Sequence, residues 1–152
     1  MPPRSVVAGT PTGYAQVESI CRWVRDTISY RREVSDQNTD ALDTLNLGAG
    51  ICRDYAHVVV TLCRASGIPA RYVSCYAPGV DPPDFHAVAE VFLADSTLPG
   101  GGAWHIVDAT GMADPAETVK IGIGRDAADV SFMTVFGEAQ FEDKQVIVTK
   151  SA

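Results

Sequence analysis

Apolar residues recur with a helical period from about Tyr14 to Ile28, where Ile20, Trp23, Val24 and Ile28 share one face. That spacing predicts an amphipathic helix. Residues 35–40 are polar and turn-like, and Thr39 or Asp40 can cap a short helix that turns Ala41, Leu42 and Leu45 inward. Two glycines within residues 46–50 then break it. From about Cys52 to Ser66 the chain is apolar on most sides, carrying Ala56, Val58, Val59, Val60, Leu62, Cys63 and Ala65, which predicts a central helix. Gly67 can take the left-handed conformation just past its end, and Pro69 cannot continue it.

After Pro69 the pattern becomes strand-like. Residues 70–76 are rich in β-formers, 87–93 alternate around Val88, Val91, Phe92 and Leu93, and 103–109 carry Trp104, Ile106 and Val107. A last strand is expected at 145–149. Helices first and strands after predict an α+β domain, with a largely antiparallel sheet packed on the central helix, over an alternating doubly wound sheet. Residues 109–142 contain Gly122, Gly124 and Gly137 together with Asp126 and Asp129, and read as a long, partly irregular excursion across the surface.

A length of 152 residues, 46% of them hydrophobic, suits one core, so a single domain over residues 1–152 is expected. The net charge of −7 repels phosphate backbones, which argues against a nucleic-acid partner. No apolar run approaches the roughly 18 residues of a membrane helix, and Met1-Pro2-Pro3-Arg4-Ser5 lacks the apolar segment of a secretion signal. The expectation is a cytoplasmic protein with no membrane partner; oligomeric state is not legible.

The four cysteines read as thiols. Cys21 and Cys63 lie in helical patterns and Cys75 in a strand pattern, as small buried apolar residues do. Cys52 differs, because it follows Gly48-Ala49-Gly50-Ile51 and opens the most buried helix. Free amide groups and the positive end of the helix dipole favour a thiolate there and can also hold an oxyanion. Glycines just upstream would let a substrate backbone approach closely.

Three histidines could serve that thiol. His57 lies five residues on along the same helix, about 500° of rotation, so it points about 140° away and reads as a structural histidine. His86 opens a strand directly after a loop, where a sheet can present it at an edge. Residues 85–94, a glycine-rich loop and residues 103–109 read as a hairpin whose pairs centre on residue 97, which makes His86 and Asp108 cross-strand neighbours, opposed or diagonal. His105 falls on the other face by strand alternation. Cys52, His86 and Asp108 then form a complete nucleophile, base and orienting group. Glu90 reads as structural or as part of an ion pair, Arg53 and Asp54 as a local pair at the helix start, Trp23 and Trp104 as core, and Tyr30 as either core or site.

These residues also carry a family resemblance. Gly50-Ile51-Cys52-Arg53-Asp54-Tyr55-Ala56-His57, then residues 62–73 with Gly67-Ile68-Pro69-Ala70-Arg71-Tyr72, then Asp84-Phe85-His86-Ala87, then Trp104-His105-Ile106-Val107-Asp108-Ala109-Thr110 resemble the core of the bacterial transglutaminase-like superfamily. Residues 123–130 also resemble a segment of this branch. The resemblance implies a papain-like, transglutaminase-like core in which Cys52, His86 and Asp108 are nucleophile, base and orienting residue. Val88 stands where relatives often have an aromatic residue, and Ala109 where they often have proline. Relatives commonly carry a β-rich region before the core, so this chain reads as a minimal form or a fragment.

The expected function is therefore a cysteine protease-like thiol enzyme that acts on peptide or protein amides through a thioester acyl-enzyme. Hydrolysis is favoured over glutamine acyl transfer, because no amine-acceptor site is visible. A non-catalytic binding module that keeps the fold is the alternative. A metal site ranks last, since neither a C-x-x-C pair nor an H-x-x-x-H spacing is present, and no cofactor is expected.

Overall fold

A computed structural model describes residues 6–151. The first five residues, on which the expectation of no secretion signal rests, lie outside them. Among the described residues, helices α1 (Tyr14–Thr27), α2 (Ala41–Leu47) and α3 (Cys52–Ala65) precede a four-stranded sheet of β3 (Ala70–Tyr76), β4 (His86–Ala94), β5 (Gly102–Val107) and β6 (Val119–Gly124). Two two-residue strands, β1 (Ser29–Tyr30) and β2 (Ala49–Gly50), pair in parallel between the helices. The sheet is antiparallel throughout, in the order β5-β4-β3-β6. Helices followed by an antiparallel sheet make this the expected α+β architecture. No helix among the described residues is long and apolar enough to cross a membrane.

The core lies between the helices and one face of the sheet. Val17, Ile20 and Val24 of α1 meet Tyr55, Val58, Val59 and Leu62 of α3, and Ala89 and Val91 of β4 close the layer. Trp23 packs half-buried against this cluster. Asp40 caps α2, its side chain accepting from Leu42 N (2.7 Å) and Asp43 N (2.9 Å). Leu42, expected inward, is 66% exposed; at seven residues α2 is too short to bury more than the stripe of Ala41 and Leu45. Trp104, expected in the core, is 38% exposed. It lies on β5, an edge of the sheet, with the Arg71 guanidinium 3.9 Å from its ring centroid.

Two expectations for the later chain need correction. Residues 109–142 are not merely irregular: they hold β6, which pairs with β3, and two 3-10 turns, Pro115–Glu117 and Ala127–Val130. Glycines conceal β6 from the strand pattern, and the fold explains one of them. A Cβ on Gly124 would lie 2.5 Å from Asp129 Cβ, because the turn after β6 folds back onto the strand. Residues 145–149 form no strand; they pair with no neighbour, and Ile147 is 74% exposed.

Candidate active site

Cys52 is the first residue of α3, and no side chain caps that first turn. It is half-exposed, whereas Cys21, Cys63 and Cys75 are buried, and all four are free thiols. Burial pushes the other three thiols up to about 12, which leaves them protonated and inert at neutral pH. The approach to Cys52 is fixed by Asp54, which is fully buried. Asp54 Oδ2 accepts from Ile51 N (2.8 Å) and Ser35 Oγ (2.6 Å), and Oδ1 pairs with Arg53 (3.0 Å). Gly50 is glycine for the same reason: a Cβ there would fall 2.7 Å from Asp54 Cβ. Close approach by a substrate, the expected reason, is not what that position shows; its own helix occupies the space.

His86 opens β4 and is buried. Its Nε2–H donates to Asp108 Oδ2 at 2.9 Å. The hairpin pairs Ala89 with Val107 and Glu90 with Ile106, so it centres on residue 98 rather than 97. The ladder stops at Val107, one residue before Asp108, and the pair meets diagonally across its open end. Asp108 is locked by three further donors. Thr110 N donates to Oδ1 at 2.8 Å, Ala113 N to Oδ2 at 2.8 Å, and the Thr110 hydroxyl lies between the two oxygens, 2.7 Å from Oδ1 and 2.9 Å from Oδ2. Thr110 was not singled out from sequence, although an Asp followed two residues later by Thr is a turn signal that could have marked it.

The other ring nitrogen, His86 Nδ1, is buried with no hydrogen-bond partner among the described residues. Burial is the largest influence on this imidazole and pulls its pKa down; the hydrogen bond to Asp108 and the nearness of Asp108 and Cys52 outweigh it and hold the group up at about 9. Burial likewise works against ionised Asp108, and its bonds to His86, Ala113 and Thr110 win, leaving its pKa below the ordinary value. At neutral pH the pair is therefore an imidazolium on a carboxylate, with Nδ1 free.

Cys52 and His86 line one cleft of about 1470 Å³, along with Tyr30, Tyr72, Phe85 and Val130. Asp108 stands behind the histidine, its side chain 3% exposed. Cys52 packs with Ala127 and Val130 around Ala56, Tyr72 and Ala87. His57 does not join Cys52 and His86: its Nε2 accepts from Ala127 N at 3.1 Å and so ties the 127–130 turn to α3 as one wall of the cleft. Burial lowers its pKa, which keeps that nitrogen free to accept. Elsewhere in the lining Phe85 stacks against Phe132 at 5.6 Å, and Lys144 pairs with Asp84. His105 is exposed. Glu90 is buried in an ion pair with Arg71 (2.6 Å) and Lys120 (2.8 Å) away from Cys52. Among the described residues no three His, Cys, Asp or Glu side chains converge as a metal-binding set.

Known proteins share this fold. The profile of the Transglutaminase-like superfamily matches residues 3–109. A crystal structure from Cytophaga hutchinsonii, described as a "putative cysteine protease", superposes with a TM-score of 0.81 at 38% identity, covering 89% of this chain and 44% of that one. Legionella pneumophila LapG shares the fold at a TM-score of 0.52 and 14% identity, over 76% of this chain and 74% of that one. An uncharacterized protein of Mycobacterium leprae is 30% identical over 116 residues, 76% of this chain and 42% of its own length. The chain thus spans less than half the length of the Cytophaga and Mycobacterium proteins. Cys52, Asp54, His86 and Asp108 all derive their positions from one helix start and one hairpin of that shared core, and the chain belongs to the transglutaminase-like superfamily.

Proposed function

We propose that this domain is a thiol-dependent enzyme that opens amide bonds by forming a thioester on Cys52, with His86 as acid and base and Asp108 orienting it. The observation that carries the reading is the division of labour on His86. Nε2 is committed to Asp108 at 2.9 Å, and Nδ1 is left unpartnered in a buried position on the cleft that Cys52 also lines. An imidazolium there pairs with a thiolate and then delivers its proton to the leaving amine. The 38% identity to a protein described as a "putative cysteine protease" supports the same class. Hydrolysis is the favoured outcome, because the cleft is open to water.

Iodoacetamide labelling tests the thiol. Cys52 is expected to alkylate at pH 6 at least tenfold faster than free cysteine, and Cys52→Ala removes the label; alkylation no faster than free cysteine rules the reading out. The pH profile tests the histidine. Acyl transfer needs the proton on His86, so the rate falls as pH rises through about 9, where that proton is lost. Asp108→Ala, which removes the carboxylate holding the imidazolium, moves this alkaline limb to lower pH. A limb that stays in place in Asp108→Ala assigns the titration to another group.

A further inference from the structure

The oxyanion that forms when a thiolate attacks a carbonyl needs more than one donor, and the fold brings one side chain to the start of α3 from outside that helix. Tyr30 ends β1, which runs parallel to β2 with Tyr30 paired to Gly50, two residues before Cys52. Arg31 N donates to Gly50 O and Ser29 N to Gly48 O, each at 2.9 Å, so the backbone on both sides of Tyr30 is pinned to the segment that leads into the nucleophile. The chain is held again two residues earlier, where the Tyr55 hydroxyl, from α3 itself, donates to Ile28 O. The Tyr55 ring also lies against the Tyr30 ring, with centroids 5.9 Å apart. Tyr30 lines the cleft with Cys52 and His86.

From this placement we infer that the Tyr30 hydroxyl is the second oxyanion donor, acting with the Cys52 amide on the carbonyl oxygen of the substrate. The inference rests on the acyl-transfer reading above. Cys52 Sγ bonds to the carbonyl carbon, and the carbonyl π pair moves onto oxygen, where the Cys52 N–H and the Tyr30 O–H both donate to it. When the pair returns, the bond to the leaving group breaks, and His86 supplies the proton that an amine leaving group requires. Tyr30 keeps its own proton throughout. The environment suits this: burial first, and then the neighbouring Cys52, push the phenol up to about 12, so it remains a donor at every pH at which the enzyme would work. A fixed donor in a partly desolvated site stabilises developing charge without reorganising.

A chemistry-selective comparison separates this role from a structural one. p-Nitrophenyl acetate acylates a thiol through a tetrahedral oxyanion, with p-nitrophenolate as the leaving group. Iodoacetamide alkylates it by displacement of iodide at a saturated carbon, which forms no oxyanion. Both are measured on full-length protein, on the pH plateau of each reaction, for wild type and Tyr30→Phe. The expected result is an acylation rate lowered about 10²-fold in Tyr30→Phe, the size of effect seen when one oxyanion donor is removed, with alkylation within about twofold of wild type. Equal loss of both rates would make Tyr30 a support for the thiol or the fold, and would overturn the assignment. So would a rise in both, or no change in either. Wild-type protein that alkylates at Cys52 but is never acylated would instead remove the acyl-transfer reading itself.

Discussion

Asp108→Asn is expected to lower the rate of Cys52 acylation by p-nitrophenyl acetate about 10²- to 10⁴-fold while the protein remains folded. The carboxylate accepts from His86 Nε2 at 2.9 Å and from Thr110 and Ala113 on its other lone pairs. An amide in its place keeps the shape and changes the hydrogen-bonding sense. Each carboxylate oxygen already takes one backbone N–H, Thr110 N on Oδ1 and Ala113 N on Oδ2, so the new NH₂ opposes one of them whichever way the amide turns. With the NH₂ at the Oδ2 position Nε2 must accept, which places the ring proton on Nδ1, the nitrogen that should take the proton from Cys52. The imidazolium also loses its counter-charge. Burst amplitude of p-nitrophenolate and intact mass of the acyl-enzyme measure the effect, and circular dichroism checks the fold. A loss of less than about threefold would show that Asp108 does not set the state of the histidine.

The largest expected effect on stability lies at Asp54. It is fully buried, and its two oxygens take hydrogen bonds from Ile51 N, Ser35 and Arg53. Asp54→Ala leaves the Ile51 N–H without its partner, strips Arg53 of its nearest counter-charge and opens a void against Gly50. Removing one member of a buried pair of this kind costs about 3–5 kcal/mol. Arg53 is only partly buried and can recover water, which places the expected loss near the lower figure, about 3 kcal/mol. Urea denaturation reads it as a lower midpoint with an unchanged slope. Because the same contacts set the entry to α3, the variant should also alkylate more slowly at Cys52 than wild type. A stability change under about 1 kcal/mol would mean that the helix start is held by other contacts.

The expectations that survived best depended on local rules. Asp40 caps α2 because an aspartate side chain reaches the amides of the first turn whatever lies around it. Gly67, at a φ of 78°, ends α3 because a residue without Cβ takes that conformation at little cost. Strands β3, β4 and β5 follow their alternation within a residue or two. The site was legible for a related reason: a cysteine at a helix start and a histidine and aspartate on adjoining strands are brought near one another by elements that the pattern already predicts.

What failed depended on neighbours distant in sequence. β6 is a strand because β3 offers it an edge, and its glycines, which weaken the sequence signal, make room for the turn that folds back on it. The run at 145–149 has a strand-like composition and no partner. Trp104 is exposed because β5 is the sheet's edge. By itself, then, the sequence determined the helices, the principal strands and the identity of Cys52, His86 and Asp108 as candidates, since periodicity, capping and strand alternation act over a few residues. Only the tertiary structure decided which nitrogen of His86 faces Asp108, what walls the cleft and that Tyr30 lines it with Cys52. Those facts follow from contacts between segments 20 to 70 residues apart, which close only when the core packs.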